Sequence, residues 1–488
     1  MSDEVEKIKR KSVRGGFIIF ASQLINVFVQ IASIIVLARL LTPEDYGLIG
    51  MVIAVTAFAQ LFKDLGLSSA VIQTKSITEE QKNSLYWVNV SLGVLVTIIV
   101  FISAPLVAGF YGVNELKHIT QILSLQFLLG GCGSQLIAHL TREMQYGRLA
   151  IIKVVSVVSG LIVAILVAYL GGGYWALVVN VMTIALVSLV LSYFLTPWRP
   201  SFPKIGGDLS ALMSFGVDVA LADTVNYFSR NLDNILIGKY VGSNALGIYS
   251  RAYQLLMFPV SQIRSPILSI AYPAMSKLGR DTVAYREYYK NTVEIIALLS
   301  MPLCVFLYLA SYEIVVIALG HKWVDAVAIF KILALAAFIQ PVTSLRGVLM
   351  LSSNQSRKNL YVNIVTTVVT SVSMLIGVRW GVEGVAWSYV LCVWLLPYPV
   401  YLIAIRSTSV NKYDIFHAVR LPCAIVVLMV VFGSLLLVVD VDNIYFSLIF
   451  KLLILMSALG VICFINERAN AMMNSGIKYA LSKLRKSQ

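Results

Sequence analysis

Charge is scarce in this chain of 488 residues: Asp, Glu, Lys and Arg make up 13%, against roughly 25% in soluble domains. Cysteine is scarce as well. Cys132, Cys304, Cys392, Cys423 and Cys463 all lie in apolar stretches with no C-x-x-C spacing, which argues against a disulfide framework or a thiolate zinc site and makes them packing residues. There is no G-x-x-x-x-G-K-[ST] loop to cradle nucleotide phosphates and no H-E-x-x-H, and His118, His139, His321 and His417 are scattered; ATP hydrolysis and zinc chemistry find no footing, and no cofactor is expected. Segments between apolar runs stay within about 25 residues, too short for an independent domain of about 50. No soluble catalytic domain is expected.

Apolar residues are abundant. They form 59% of the chain, mean hydropathy is +0.84, and runs of 18 or more recur, the length that crosses a bilayer as a helix. Spans are predicted near 17–38, 47–70, 84–107, 118–140, 149–170 and 174–195. A polar break follows, containing Pro197, Pro200, Pro203, Gly206 and Gly207. A second set is predicted near 211–236, 246–270, 291–311, 325–350, 360–378 and 385–405, and a last pair near 416–438 and 444–465. The expected fold is an all-α integral membrane protein of about fourteen spans: a six-helix lobe over 1–200, a second over 201–410, and an added helix pair with a basic tail over 411–488. The first apolar run lacks an A-x-A-like cleavage site and reads as a span, not a signal peptide.

The formal net charge of +14 is explained by topology rather than by nucleic acid. With the N-terminus inside, only Arg39, Lys117, Lys239, Lys322 and Arg379 fall in outer loops. Most other basic residues flank the spans on the cytoplasmic side, among them Lys7, Lys9, Arg10, Lys11 and Arg14 at one end and Arg468, Lys478, Lys483, Arg485 and Lys486 at the other. The positive-inside rule therefore places both termini in the cytoplasm, and the basic tail is expected to rest on anionic lipid.

The halves resemble each other internally. At an offset of 200, Asn26 aligns with Asn226, Arg39 with Lys239 and Gly47 with Gly247; later the offset is 211, matching Phe127 with Phe338 and Gly173 with Gly384. Six spans per half is an even number, so both halves enter from the same side, as in transporters whose parallel repeats rock around a central cavity.

Polar groups within the spans mark where chemistry is expected. At 100° per residue, Asp223, Asn226, Tyr227, Arg230, Asp233 and Asn234 share one face of the seventh span. The related face of the first span carries only neutral groups, Gln23, Asn26, Gln30 and Ser33. Arg251 and Arg264 lie on the eighth span, and Lys331 and Arg346 on the tenth. Guanidinium forks suit phosphate oxygens, so Arg230, Arg251, Arg264 and Arg346, with Asn226, Asn26 and Gln30, are the candidate substrate contacts. The competing reading is a buried structural network that neutralises Arg230 with Asp223 or Asp233, with snorkelling from helix ends for Lys331 and Arg346. Asp223, Asp233 and Glu294 are the available carriers of a coupling H⁺ or Na⁺, and Asp64, placed opposite Arg264 by the repeat, is a candidate gate partner. The stretch Tyr285, Arg286, Tyr288, Tyr289 and Lys290 is expected to be an interfacial anchor.

The segments ARLLTPEDYGLIGMV at 38–52, DLGLSSAVIQ at 64–73, RNLDNILIGKYVGSNALGIYSRAYQLLMFPVSQI at 230–263, YPAMSKL at 272–278 and LGHKWVDA at 319–326 resemble the polysaccharide transporter family of O-antigen flippases and colanic acid exporters, across about residues 10–410. The resemblance implies membership of the multidrug/oligosaccharidyl-lipid/polysaccharide exporter superfamily, with two lobes in a V and alternating access. It also implies a substrate, a polyprenyl-diphosphate-linked oligosaccharide moved outward across the bacterial inner membrane under an ion gradient, alongside polymerase and export machinery. The first span here has no Asp or Glu, whereas related multidrug antiporters often place a cation-binding carboxylate there. A multidrug antiporter of the same superfamily and a membrane glycosyltransferase or polymerase are the alternatives; the first should be disfavoured by a basic cavity, the second by short outer loops.

Overall fold

A computed structural model describes residues 2–63, 67–68, 71, 77–202, 227, 231–279, 282–406, 408–436 and 443–465. Helices account for every long element among them: α1 (Ser2–Leu40), α2 (Pro43–Phe62), α3 (Glu79–Tyr111), α4 (Glu115–Arg142), α5 (Tyr146–Tyr169), α6 (Trp175–Leu195), α7 (Ser243–Leu278), α8 (Val283–Leu309), α9 (Ser311–Leu319), α10 (Ala326–Ser352), α11 (Ser356–Gly377), α12 (Gly381–Leu395), α13 (Pro397–Ile405), α14 (Lys412–Leu436) and α15 (Ile444–Ile465). Residues 231–240 are helical too. Every expected span but the seventh falls on a described helix, and ten stretches among the described residues are long and apolar enough to cross a bilayer. The chain is a multi-pass membrane protein. Its lipid-facing stripes are visible on α3, where Ile98, Ile102, Leu106 and Phe110 recur every four residues and are all exposed, as an apolar solvent permits.

The helices begin where local chemistry allows. Thr42 caps α2 in a reciprocal box: its hydroxyl accepts from the Asp45 amide at 3.2 Å, and the Asp45 carboxylate accepts from the Thr42 amide at 2.8 Å. Thr78 and Gln81 repeat the device at the start of α3, satisfying amides that a helix leaves orphaned at its first turn. The polar break after α6 is fastened to α3 at its beginning. Asn83 and Ser201 exchange two hydrogen bonds, at 2.7 and 3.1 Å, and the Trp87 indole donates to the Ser201 carbonyl while its ring stacks on Phe202.

The chain divides into two compact units, residues 1–250 and 251–488. In the first, α3 packs on α4, α5 on α6, and α1 lies along α5. The tightest approach joins the start of α2 to the start of α7. A Cβ on Gly47 would sit 1.7 Å from the Ser243 carbonyl oxygen, and a Cβ on Gly247 would sit 1.7 Å from the Pro43 carbonyl oxygen. Residue 43 meets 247 and residue 47 meets 243, the reciprocal pattern of a two-fold contact, made by the glycines that the offset of 200 aligns.

In the second unit α8 packs against α10 and α14, and α10 against α12. Tyr285 and Tyr289 are fully buried in this core, not interfacial anchors as their composition suggested. Their spacing of four places both on the inner face of α8, where the Tyr285 hydroxyl lies 2.8 Å from Ser352 Oγ and the Tyr289 hydroxyl donates to Tyr401. Arg286, between them, points outward and grips Asp414 with two bonds of 2.8 Å. Pro341 deprives the Ala337 carbonyl of its helical donor, and the Cys304 thiol donates to that oxygen at 3.3 Å. On α9, just past the end of α8, Glu313 accepts from Lys451 and Ser447 of α15. These contacts tie the last helix pair, α14 and α15, to α8 and α9 within the second unit.

Candidate functional site

Helix α1 turns its predicted polar face into a cavity. Gln23, Asn26, Gln30 and Ser33 line it together with Lys153 and Val157 of α5 and Asn180 and Ile184 of α6, around a volume of about 280 Å³. The three helices come close enough to share a cavity because α5 has a glycine where it meets α6: a Cβ on Gly160 would lie 2.5 Å from Ile184 Cγ1 and 3.1 Å from the Asn180 carbonyl oxygen. Asn26 donates to the Ser22 carbonyl at 2.7 Å, which orients its amide. Lys153 is exposed and belongs to none of the ion pairs among the described residues. The lining contains no carboxylate.

Two members of the predicted site, Asn26 and Gln30, are thus brought together, and two lining residues were missed, Lys153 and Asn180. The first unit is not purely neutral, as the face of the first span alone suggested. Lys153 lies four residues after the expected start of its span, where a lysine ordinarily reads as a snorkelling end, and Asn180 is a single amide in an apolar run. Only the adjacency of α1, α5 and α6 gives them a common purpose.

The remaining candidates are placed separately. Asp64, Asp223, Asn226 and Arg230 lie outside the described residues. Asp233, in the first unit, accepts from the Tyr249 hydroxyl at 2.9 Å and from the Asn234 amide at 2.8 Å. Each oxygen of its carboxylate therefore has a donor. Arg251 and Arg264 are half-buried on α7 and Glu294 is half-buried on α8. Lys290, considered as a neighbour for Glu294, lies 3.8 Å from Glu287.

Arg346 is half-buried in the second unit. Its Nη2 donates to Asn363 Oδ1 of α11 at 2.8 Å, and no carboxylate pairs with it among the described residues. Nearby along α10, Gln340 donates to the Tyr389 hydroxyl at 2.9 Å, and Tyr401 donates to the Val342 carbonyl at 2.9 Å. The asparagine oxygen satisfies one donor and contributes no net negative charge, so the guanidinium keeps its charge and most of its five donors for another group.

Comparison with known proteins gives a consistent setting. A family model described as "Polysaccharide biosynthesis protein" matches residues 36–328. The teichuronic acid biosynthesis protein TuaB of Bacillus subtilis is 28% identical over 461 residues, covering 90% of this chain and 91% of that protein. The lipopolysaccharide biosynthesis protein WzxC of Escherichia coli is 22% identical over 413 residues, covering 83% of each. Among solved structures, the lipid II flippase MurJ in an inward closed conformation superposes with a TM-score of 0.72 at 12% identity, covering 93% of this chain and 98% of that one. That likeness is one of fold.

Proposed function

Because the chain belongs to the polysaccharide biosynthesis protein family, we propose that it is a flippase carrying a polyprenyl-diphosphate-linked oligosaccharide from the cytoplasmic to the outer leaflet of a bacterial inner membrane. The observation that carries this reading is the cavity of the first unit, where four amides and a serine accompany a single charged group, Lys153, with no carboxylate. Amides both donate and accept, as sugar hydroxyls do, while a lysine favours an anion. Arg346, held by an amide instead of an acid, extends the same preference to the second unit. Relatives named for teichuronic acid and lipopolysaccharide biosynthesis, and the fold shared with a lipid II flippase, support a glycan-bearing lipid.

In this reading the repeats 1–200 and 201–410 are the two moving lobes, residues 411–488 are an addition to the second, and both termini are cytoplasmic. Arg230, Arg251, Arg264 and Arg346 meet the diphosphate in turn. If transport is coupled to H⁺ or Na⁺, Asp223, Asp233 and Glu294 are the carriers this reading assigns, and Asp64 and Arg264 are its gate pair. A multidrug antiporter would need to attract organic cations, which a carboxylate-free cavity containing a lysine repels.

Competition in lipid nanodiscs tests the substrate class. Native mass spectrometry of the purified full chain should show retention of a polyprenyl-diphosphate oligosaccharide that excess tetraphenylphosphonium does not displace. Displacement by the cation, or retention of the cation alone, would move the protein to drug export.

A further inference from the structure

The charges of α14 are sorted by sign onto opposite faces. Asp414, the single acid of this helix, is buried, and both of its carboxylate oxygens are held by Arg286 of α8 at 2.8 Å. Lys412, Tyr413, Phe416, His417 and Arg420 are all exposed, and at 100° per residue they share an arc of about 140°. No acid among the described residues pairs with Lys412, His417 or Arg420. Lys412 Nζ stands 5.3 Å from the centre of the Tyr413 ring, and the His417 ring lies 6.2 Å from that of Phe416. Arg420 is rooted about 12 Å along the helix from Lys412, but a helical side chain runs back toward the N-terminus, so the guanidinium approaches the level of the lysine. Beyond Arg420 the same face carries no charge. Val427 and Val431 continue it and are exposed, and from Arg420 to Val431 is about 16 Å, close to half of a hydrocarbon core of about 30 Å.

We propose that this face of α14 is a binding site for an anionic glycerophospholipid: Arg420 and Lys412 hold its phosphate, His417 donates a hydrogen bond to it, and its acyl chains lie over Val427 and Val431. Exposed Tyr413 and Phe416 set the headgroup level, as aromatic side chains do at a membrane boundary, and basic groups at that level attract anionic lipid. A guanidinium on the outer face of a span is costly without an anion, and phosphate oxygens match its fork. A soluble anion meets only the basic end of the face, whereas an amphiphile meets the basic end and the apolar continuation together. A zwitterionic lipid brings its own cation to the basic end. The helix contains no Asn or Gln to take sugar hydroxyls, so the occupant is a phospholipid of the bilayer and not the glycan carrier. In the orientation proposed above, its leaflet is the cytoplasmic one.

The test titrates phosphatidylglycerol into phosphatidylcholine nanodiscs holding the full chain, and reads lipid retained in native mass spectrometry beside thermal unfolding. Wild type should retain phosphatidylglycerol saturably and in preference to phosphatidylcholine, and the bound lipid should raise the unfolding temperature. Arg420→Gln should weaken retention about tenfold, the scale of one lost charge-assisted interaction, and remove most of the thermal gain. Arg420→Lys should stay within about threefold of wild type because the charge remains. Arg357→Gln, at an exposed cation on α11, should change nothing. Unfolding in phosphatidylcholine alone, expected to be the same for Arg420→Gln and wild type, separates loss of lipid from loss of fold. Lys412→Gln, at the exposed first residue of the helix, should weaken retention about threefold and repeats the test where folding is not at stake. Retention untouched by both Arg420→Gln and Lys412→Gln, no preference for phosphatidylglycerol, or equal weakening by Arg357→Gln would overturn the site. Displacement of phosphatidylglycerol by equimolar polyprenyl phosphate would overturn the occupant and give the face to the glycan carrier. No transport is measured, so each of these failures leaves the flippase reading standing.

Discussion

Replacing Gly47 with alanine sets two known effects against each other, and the structure decides between them. In a helix, alanine is favoured over glycine by about 1 kcal/mol, so propensity alone predicts a gain. The new methyl, however, would lie 1.7 Å from the Ser243 carbonyl oxygen, where ordinary contact begins near 3.4 Å. The obstacle is main chain and cannot rotate away, so the start of α2 and the start of α7 must part by about 1.7 Å. Overpacking of this kind costs about 1–3 kcal/mol, and a rigid carbonyl places it at the upper end, leaving a net loss of about 2 kcal/mol after the propensity gain. Gly247→Ala should cost about the same, because its methyl meets the Pro43 oxygen at the same 1.7 Å. The double variant should cost clearly less than the sum, since the separation forced by one methyl makes room for the other. Thermal unfolding in detergent, with hydrogen exchange followed over residues 43–50 and 243–250, measures both the loss and its location. Either single variant matching wild type or exceeding it, or strict additivity in the double, would refute the reciprocal crossing.

Other contacts give further expectations. Lys451→Met strands the Glu313 carboxylate against α15 and should destabilise by about 3 kcal/mol, whereas Lys451→Met with Glu313→Gln should recover most of the loss; a double variant no better than the single would remove the ion pair as the link. Cys304→Ser keeps a donor for the Ala337 carbonyl beside Pro341 and should lie close to wild type, while Cys304→Ala leaves that oxygen bare and should cost about 1–3 kcal/mol; scanning calorimetry that ranks the two the other way would contradict the compensation. Arg346→Gln should abolish most transport and Arg346→Lys should retain a part, since the lysine keeps charge but loses the fork; equal activity in both variants and wild type would take Arg346 out of the substrate path.

The spans were legible because crossing a bilayer demands long apolar runs, and those runs survive any packing. Gly47 and Gly247 were legible as a repeated pair, although only the structure shows that each abuts the start of the other's helix, Gly47 at Ser243 and Gly247 at Pro43. Asn26 and Gln30 were readable from helical periodicity along one helix. Lys153 and Asn180 were not, because their role depends on three helices meeting, which no single helical wheel reports. Tyr285 and Tyr289 misled for a related reason: tyrosine near a membrane surface suits an interfacial belt, but a pair four apart also makes the inward stripe of a helix, and here the buried hydroxyls find Ser352 and Tyr401. Cys304 was rightly placed in the core, yet its hydrogen bond follows from a proline on another helix.

The central claim, movement of a lipid-linked glycan between leaflets, is tested most directly in proteoliposomes carrying a labelled polyprenyl-diphosphate oligosaccharide in the inner leaflet, with an impermeant sugar-modifying enzyme outside. The account predicts protein-dependent exposure of label to the enzyme, reduced by Arg346→Gln. No exposure with several oligosaccharides, under proton and sodium gradients alike, would contradict it.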